Sequence, residues 1–243
     1  SFILYISHLL HSTPLLYKKI KGYIFMKNNL LKSLLFVSAV SIMVGCGGGS
    51  SSGVEEEVIP PISDLPSSIL TKELKDSIAN MYYEEGLWYY VFRNIYKIQA
   101  VKQLQNISKS SDIKHIDAVN ELAIKYDLNI TDYPDLPAPY SVEGIGDGNY
   151  SVEAIKVLYD ILYTKGIQSR QDALEVGCMV EVVDIDDLDG YITLAKESNA
   201  TDVLEVFNFL ITGSYKHYQK FDQGLKDMGV AGGCCIVPSA LGY

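Results

Sequence analysis

Two histidines and a few acidic residues interrupt the apolar faces of predicted helices. His115 and His217 each lie about halfway along a different predicted helix, and they are the two histidines that occur after residue 45. The acids on these faces are Glu85, Asp112, Glu181 and Asp184. Imidazole nitrogens and carboxylate oxygens together suit iron and manganese, with zinc as an alternative. These residue types predict a metal site between helices, whereas a simpler interpretation makes each histidine a core residue bonded to a neighbouring acid or carbonyl.

The first predicted helix carries one charge within an apolar face. Residues on that face recur at spacings of three and four, as the helix period requires. They are Leu74, Ile78, Met81, Glu85, Trp88, Phe92 and Ile95. Burying an unpaired carboxylate costs several kcal/mol, so Glu85 needs a cation, a partner or a wet pocket. Its neighbour Glu84 projects about 100° away and is expected to be solvated.

Three further predicted helices also carry polar residues near the middle of their apolar faces. The face of the second consists of Asp112, His115, Val119, Leu122 and Tyr126. The face of the third consists of Leu174, Cys178, Glu181, Asp184 with Ile185, and Leu188. The face of the fourth consists of Val203, Phe207, Leu210, Ser214, His217, Phe221 and Leu225. Carboxylates brought together by these faces would repel one another, and bound cations would neutralise them.

The elements that must position these residues are all predicted to be helices. Helical periodicity covers residues 71–127 with a break near 97–100, and then 151–165, 169–188 and 201–228. The predicted N-caps are Ser151, Ser169 and Thr201. Prolines and glycines between the second and third long helices indicate an irregular connection, and no segment has the pattern of a strand. The predicted fold is therefore all-α, a four-helix bundle with a long crossover and an extra short helix.

The residues before position 46 have the composition of an export signal. They include five lysines and no acid, and the first methionine, Met26, precedes a 12-residue apolar run at 33–44. A run of that length is short for a membrane-spanning helix and suits a signal segment. The stretch that ends at Cys46 resembles a bacterial lipoprotein signal. The resemblance implies lipidation of Cys46 and an extracytoplasmic, membrane-anchored lipoprotein, in the outer membrane where the organism has one; a plain N-terminal anchor is the alternative.

The chain is predicted to contain one helical domain on a tether. Residues 1–45 are the signal with its upstream residues, 46–66 form a Gly/Ser/Pro tether, 67–232 form the helical domain and 233–243 a C-terminal tail. Residues 46–243 carry 15 basic against 30 acidic side chains. Such an acidic surface repels phosphate backbones, which disfavours binding to nucleic acid.

Several short motifs, taken together, resemble the ferritin-like superfamily, with rubrerythrin as the nearest familiar pattern. They are Glu84-Glu85, Asp112-Ile-Lys-His115, Glu181-Val-Val-Asp184 and Ser214-Tyr-Lys-His217. The rubrerythrin pattern has Glu on the first helix, Glu-x-x-His on the second, Glu-x-x-Glu on the third and Glu-x-x-His on the fourth. More closely, residues 70–230 resemble an uncharacterised prokaryotic ferritin-like family catalogued as a domain of unknown function.

The resemblance implies a ligand set and a chemistry. Its ligands would be Glu85 from the first helix, Asp112 and His115 from the second, Glu181 and Asp184 from the third, and His217 from the fourth. It implies one or two metal ions, with iron favoured and manganese or zinc as alternatives. It further implies O2 or peroxide as a reactant in oxidase or peroxidase chemistry.

Three residues depart from the rubrerythrin pattern. Asp112 reaches one methylene less than the usual Glu, Ser214 stands in place of a bridging Glu, and Trp88 stands in place of a small Ala. The missing bridging acid predicts weaker binding of a second metal. The alternative function is therefore a non-catalytic envelope lipoprotein with a degenerate or empty metal site.

An acidic run at residues 184–190 invites a calcium interpretation. An EF-hand loop needs a bidentate Glu at its twelfth position, where this chain has Ala195. The run is therefore interpreted as a solvated helix end formed by Asp186, Asp187 and Asp189.

The cysteines after Cys46 predict a disulfide in an exported protein. They are Cys178, Cys234 and Cys235. The two adjacent cysteines would be strained if bonded to each other, so Cys178 is expected to pair with one of them.

Overall fold

The structure is a computed structural model that describes residues 58–128 and 153–236. Within these two ranges the chain is helical and contains no strand, which confirms the all-α prediction. None of the helices in the described ranges is both long enough and apolar enough to cross a membrane. The predicted signal, Cys46, the crossover at 129–152 and the cap at Ser151 lie outside the described residues.

Six α-helices and a π-helical segment make up the described domain. They are α1 (Lys72–Gln99), α2 (Lys102–Asn106), the π-helical segment (Ile107–Ser111), α3 (Asp112–Lys125), α4 (Glu153–Gly166), α5 (Arg170–Glu197) and α6 (Thr201–Asp227). Short 3₁₀ turns lie at Ile62–Asp64 and Gly233–Ile236. Helices α1, α3, α5 and α6 pack together as a bundle, and α4 packs outside them against α1 and α5. The predicted break near 97–100 is confirmed, because α1 ends at Gln99 and Ala100 adopts a left-handed conformation with φ 50°.

Side-chain caps begin two of the long helices. Thr71 accepts a hydrogen bond from the Leu74 backbone N–H at the start of α1, and Ser169 accepts one from the Asp172 N–H at the start of α5. The prediction that Thr201 caps α6 was wrong. Thr201 is the first helical residue and Ala200 precedes it without a side-chain cap. Asp202 supplies the favourable negative charge in the first turn instead.

Helix α5 is longer than the sequence pattern indicated. It was expected to end at 188 with a solvated acidic end, but it continues to Glu197, and Asp187 is only 7% exposed. The buried face continues through Ile192 and Ala195, so packing outweighs the unfavourable local composition. The helix ends where Asn199 adopts a left-handed conformation with φ 53°.

Apolar layers lie on both sides of the polar middle of the bundle. All seven residues of the predicted α1 face are buried, so Ile78 and Phe92 flank Glu85 along the helix. Phe92 contacts Phe221 of α6 at 5.4 Å between ring centroids. A Cβ at Gly177 would come within 2.4 Å of the Phe221 ring, so a larger residue there would displace it. These layers separate the centre of the bundle from solvent.

A disulfide fastens the C-terminal turn to α5. Cys178 and Cys234 are bonded with their Cα atoms 5.5 Å apart, which confirms that Cys178 pairs with one of the adjacent cysteines. The two residues are 56 positions apart. In the chain-entropy model, closing a loop of that size destabilises the unfolded chain by about 4 kcal/mol.

Candidate metal centre

The turn that precedes α3 has unusual backbone geometry. The backbone N–H of Asp112 bonds to the carbonyl of Ile107, five residues earlier, as in a π-helix. Ser108 and Ser110 donate their hydroxyls to carbonyl oxygens four residues before them. Turns of this type are rare and occur often at functional sites. The widened turn offsets the face of α3 relative to α2 and begins α3 at Asp112.

All six predicted ligands lie in the middle of the bundle and are at most 3% exposed. These residues, called the central cluster below, are Glu85, Asp112, His115, Glu181, Asp184 and His217. They come from all four bundle helices. The imidazole rings of His115 and His217 approach each other to 5.4 Å between centroids, with an angle of 29° between ring planes. The fold thus brings together side chains that are up to 132 positions apart in sequence.

Each histidine contacts a glutamate on a neighbouring helix. His115 Nδ1 lies 3.1 Å from Glu85 Oε1, and His217 Nδ1 lies 3.5 Å from Glu181 Oε2. An ionised carboxylate only accepts hydrogen bonds, so in the neutral imidazole of His115 the proton lies on Nδ1. The lone pair is then on Nε2, the arrangement that a carboxylate partner gives to metal-binding histidines.

His115, Asp112 and Asp184 each keep one buried polar atom without a hydrogen-bond partner among the described residues. These atoms are Nε2 of His115, Oδ2 of Asp112 and Oδ1 of Asp184. Leaving such a group unsatisfied costs about 1–3 kcal/mol, and more when it is charged. The interpretation of His115 as a satisfied core residue therefore accounts for one of its ring nitrogens and leaves the other unexplained.

The aspartates of the central cluster are costly to ionise in the metal-free chain. Burial, followed by the charges of Glu85 and Glu181, raises the pKa of Asp112 well above its usual value. The same causes raise the pKa of Asp184 well above its usual value, although the Ser214 hydrogen bond and His115 oppose the shift. A positive ion would remove this penalty, because it favours the charged form of every carboxylate near it.

Ser214 of α6 lies against Asp184 of the central cluster. It is fully buried, and its hydroxyl donates to Asp184 Oδ2. The hydroxyl therefore occupies one oxygen of Asp184 and leaves Oδ1 available. Within the described ranges, no three His, Cys, Asp or Glu side chains are already gathered as ligands of one ion. Repulsion between the carboxylates tends to keep them apart when no cation lies between them.

A second buried network lies at one end of the bundle and was not anticipated from the sequence. This end network consists of Ser68, Lys125, Tyr126 and Asp202. Asp202 is fully buried, and its Oδ2 lies 2.8 Å from Lys125 Nζ. Ser68 Oγ donates to Oδ1 at 2.6 Å, and the Tyr126 hydroxyl donates to Oδ2. Lys125 also donates to the carbonyls of Ile62 and Leu65, which holds the N-terminal segment against the bundle.

The hydrogen bonds of the end network determine the ionisation of its carboxylate. Burial by itself would raise the pKa of Asp202, but hydrogen bonds from Lys125, Ser68 and Tyr126 outweigh burial and lower it. The sequence carried little sign of this network, because its members come from a connection and from two helix ends rather than from a helical face.

The prediction that Glu84 is solvated was wrong, because its side chain is partly buried.

Comparison with known proteins identifies relatives of this chain. The chain matches the family model described as "Uncharacterized protein domain (DUF2202)" over residues 74–234, a span that contains the whole central cluster. It is 32% identical over 168 residues to "Uncharacterized protein MJ0754" of Methanocaldococcus jannaschii, covering 69% of this chain and 83% of the relative. The crystal structure of hypothetical protein MJ0754 from Methanococcus jannaschii DSM 2661 matches with a TM-score of 0.58 and 30% identity, covering 68% of this chain and 86% of that one. The chain therefore belongs to the DUF2202 family.

Proposed function

We propose that the domain is a ferritin-like metal-binding bundle that holds one or two ions in the central cluster. The observation that carries the proposal is the set of buried atoms without partners on His115, Asp112 and Asp184. They are one imidazole nitrogen and two carboxylate oxygens, which are donors that suit iron, manganese and zinc. Iron is favoured because the ligand types match the rubrerythrin-like pattern.

The charge of the central cluster supports the same assignment. It contains four carboxylates, and two divalent ions would balance four negative charges in a site that excludes water. Glu85, Asp112 and His115 would hold an ion from one side of the bundle, with Glu181, Asp184 and His217 on the other. Iron bound there would supply redox chemistry with O2 or peroxide, of the oxidase or peroxidase type.

The chain's own residues have definable tasks in such a reaction. The apolar layers around the central cluster exclude bulk water and strengthen every electrostatic interaction inside it. Glu85 orients the imidazole of His115 and keeps its proton on Nδ1. Ser214, as a neutral donor in place of an acid, lowers the affinity for a second ion.

We also propose that the domain is tethered to the outer face of a membrane through lipidated Cys46. The order of the lysines, the apolar run and Gly45-Cys46 supports this, as does the Gly/Ser-rich stretch that follows. More than one acyl chain is needed for stable anchoring. The disulfide between Cys178 and Cys234 agrees with an oxidising compartment.

A second candidate function is a non-catalytic envelope lipoprotein whose site is degenerate. Two observations favour it. Ser214 occupies one oxygen of Asp184 with a hydrogen bond, and within residues 58–128 and 153–236 no three ligand-type side chains are preassembled around one point. Under this alternative the domain would keep its fold without taking up metal.

Metal content after a matched pair of substitutions separates these functions. The full chain is extracted in detergent, stripped of metal and titrated with Fe(II) under anaerobic conditions. Asp184→Asn should lower the number of ions bound, whereas Asp186→Asn, on an exposed position of the same helix, should leave it unchanged. A wild-type chain that binds no iron, manganese or zinc would support the degenerate site and contradict the proposal.

A further inference from the structure

The indole of Trp88 presents a buried donor that has no role in the proposed ligand set. Trp88 is 3% exposed, and its Nε1 has no hydrogen-bond partner among the described residues. An unsatisfied buried N–H is destabilising, and phenylalanine would fill most of the same volume without that cost. The chain nevertheless places its only tryptophan at this position.

The position of Trp88 relates this donor to the central cluster. Trp88 follows Glu85 by three residues, so the two side chains lie on the same face of α1, one turn apart. Side chains on a helix lean toward its N-terminus, which brings the indole over the turn that carries Glu85. Glu85 in turn contacts His115. The indole therefore lies one helical turn from the glutamate that contacts His115 of the central cluster.

We propose that the indole N–H of Trp88 donates a hydrogen bond to a small acceptor bound at the central cluster. The inference rests on the proposed metal-binding function and adds the ligand class: a compact anion or oxygen species of one to three atoms. None of the described carboxylates of the protein accepts a hydrogen bond from Trp88 Nε1. Apolar layers lie on both sides of the central cluster, which favours a compact acceptor over a larger polar molecule.

Azide serves as the test acceptor, because it is a small anion with a nitrogen lone pair at each end. The full chain is loaded with Zn(II), or anaerobically with Fe(II), and metal uptake is measured first. Since the chain has one tryptophan, its ¹⁵N–¹H spectrum contains one indole resonance. Adding azide to the metal-loaded chain should shift this resonance, whereas azide added to the metal-free chain should not.

Substitution supplies the second readout. Trp88→Phe keeps an aromatic ring and removes the donor, so it should weaken azide binding about tenfold or more while metal uptake stays unchanged. Phe92→Leu, which alters packing on the same helix without removing a donor, should leave azide affinity within about twofold. If Trp88→Phe does not fold, the shift of the wild-type indole resonance decides alone.

The outcomes distinguish the inference from the function on which it rests. Metal uptake with an unmoved indole resonance, or with equal azide affinity in Trp88→Phe, overturns the assignment of Trp88 and leaves the metal site standing. Failure to take up either metal overturns the proposed function and this inference together. A shift of the indole resonance that depends on both metal and azide supports the inference.

Discussion

The end network and the central cluster bury carboxylates equally well but satisfy them very differently. Asp202 in the end network is paired with a lysine and accepts from a serine, a tyrosine and the Val203 backbone N–H. Asp112 and Asp184 in the central cluster each keep an oxygen without a partner among the described residues. The same fold therefore gives the buried acid at one end a full set of partners, whereas the acids in the middle keep oxygens without hydrogen-bond partners.

This difference supports the roles proposed for the two regions. Where a buried carboxylate serves only stability, the chain provides a cation and hydrogen-bond donors of its own, and the pKa of Asp202 is lowered. In the central cluster, burial and neighbouring carboxylates raise the pKa values of Asp112 and Asp184. Such a penalty is acceptable in a site that completes its coordination with an external ion, and it is hard to explain in a purely structural core.

The largest expected effect comes from removing the cation of the end network. Lys125→Met leaves Asp202 buried without its charge partner and should lower the free energy of unfolding by about 3–5 kcal/mol. Lys220→Met, at an exposed position of α6, serves as the control and should change it by less than about 0.5 kcal/mol. Denaturant unfolding measures both variants. Equal stabilities would mean that the end network contributes little.

The end network should also govern part of the acid sensitivity. The pKa of Asp202 is lower in the folded chain than in the unfolded chain, so its ionised form stabilises the fold above the unfolded pKa of about 3.9. That contribution is lost as pH falls through the folded pKa. The difference in unfolding free energy between wild type and Asp202→Asn should be largest near neutral pH and should shrink below about pH 4. A pH-independent difference would contradict this assignment.

The corresponding substitution in the central cluster should have the opposite sign. Asp112→Asn removes a buried carboxyl group that is costly to ionise, so it should stabilise the metal-free chain at pH 7. The same substitution should weaken metal binding. Thermal unfolding with and without metal checks both parts, and Asp117→Asn at an exposed position of α3 is the control. Destabilisation of the metal-free chain by Asp112→Asn would show that its carboxylate is satisfied after all.

The smallest expected effect concerns the second ion. Ser214→Glu restores an acid one turn before His217, which should raise the affinity of the second site and speed the oxidation of Fe(II) by O2. The measurement is the absorbance change when O2 is added to the iron-loaded chain. If the wild type already binds two irons with equal affinity and oxidises them quickly, Ser214 does not weaken the site.

Periodicity predicted the residues of the central cluster because each one lies on a helical face whose remaining members are mostly apolar. Glu85 and His217 could be located in this way, since a polar residue stands out among residues spaced by three and four. The same reasoning failed at the end of α5, where Asp186 and Asp187 suggested a solvated terminus although Ile192 and Ala195 continue the buried face. Local composition is a weaker determinant than tertiary packing there.

Other features could not be obtained from periodicity at all. The π-helical turn before Asp112 depends on a backbone register that no single residue type specifies. Asp202 and Lys125 come from the ends of different helices, so their pairing follows from the packing of those ends and not from a repeated spacing. The hydrogen bond from Ser214 to Asp184 likewise joins two faces that were predicted separately.

The most direct test of a metal centre in this bundle is the iron content of the double variant His115→Ala/His217→Ala. Metal-free full-length chain, wild type and variant, is titrated anaerobically with Fe(II), and bound iron is counted after gel filtration. The metal-binding account predicts at least one tightly bound ion in the wild type and loss of most of it in the variant, while both chains keep their helical content. Full retention of iron by the variant would contradict a site built on these two histidines.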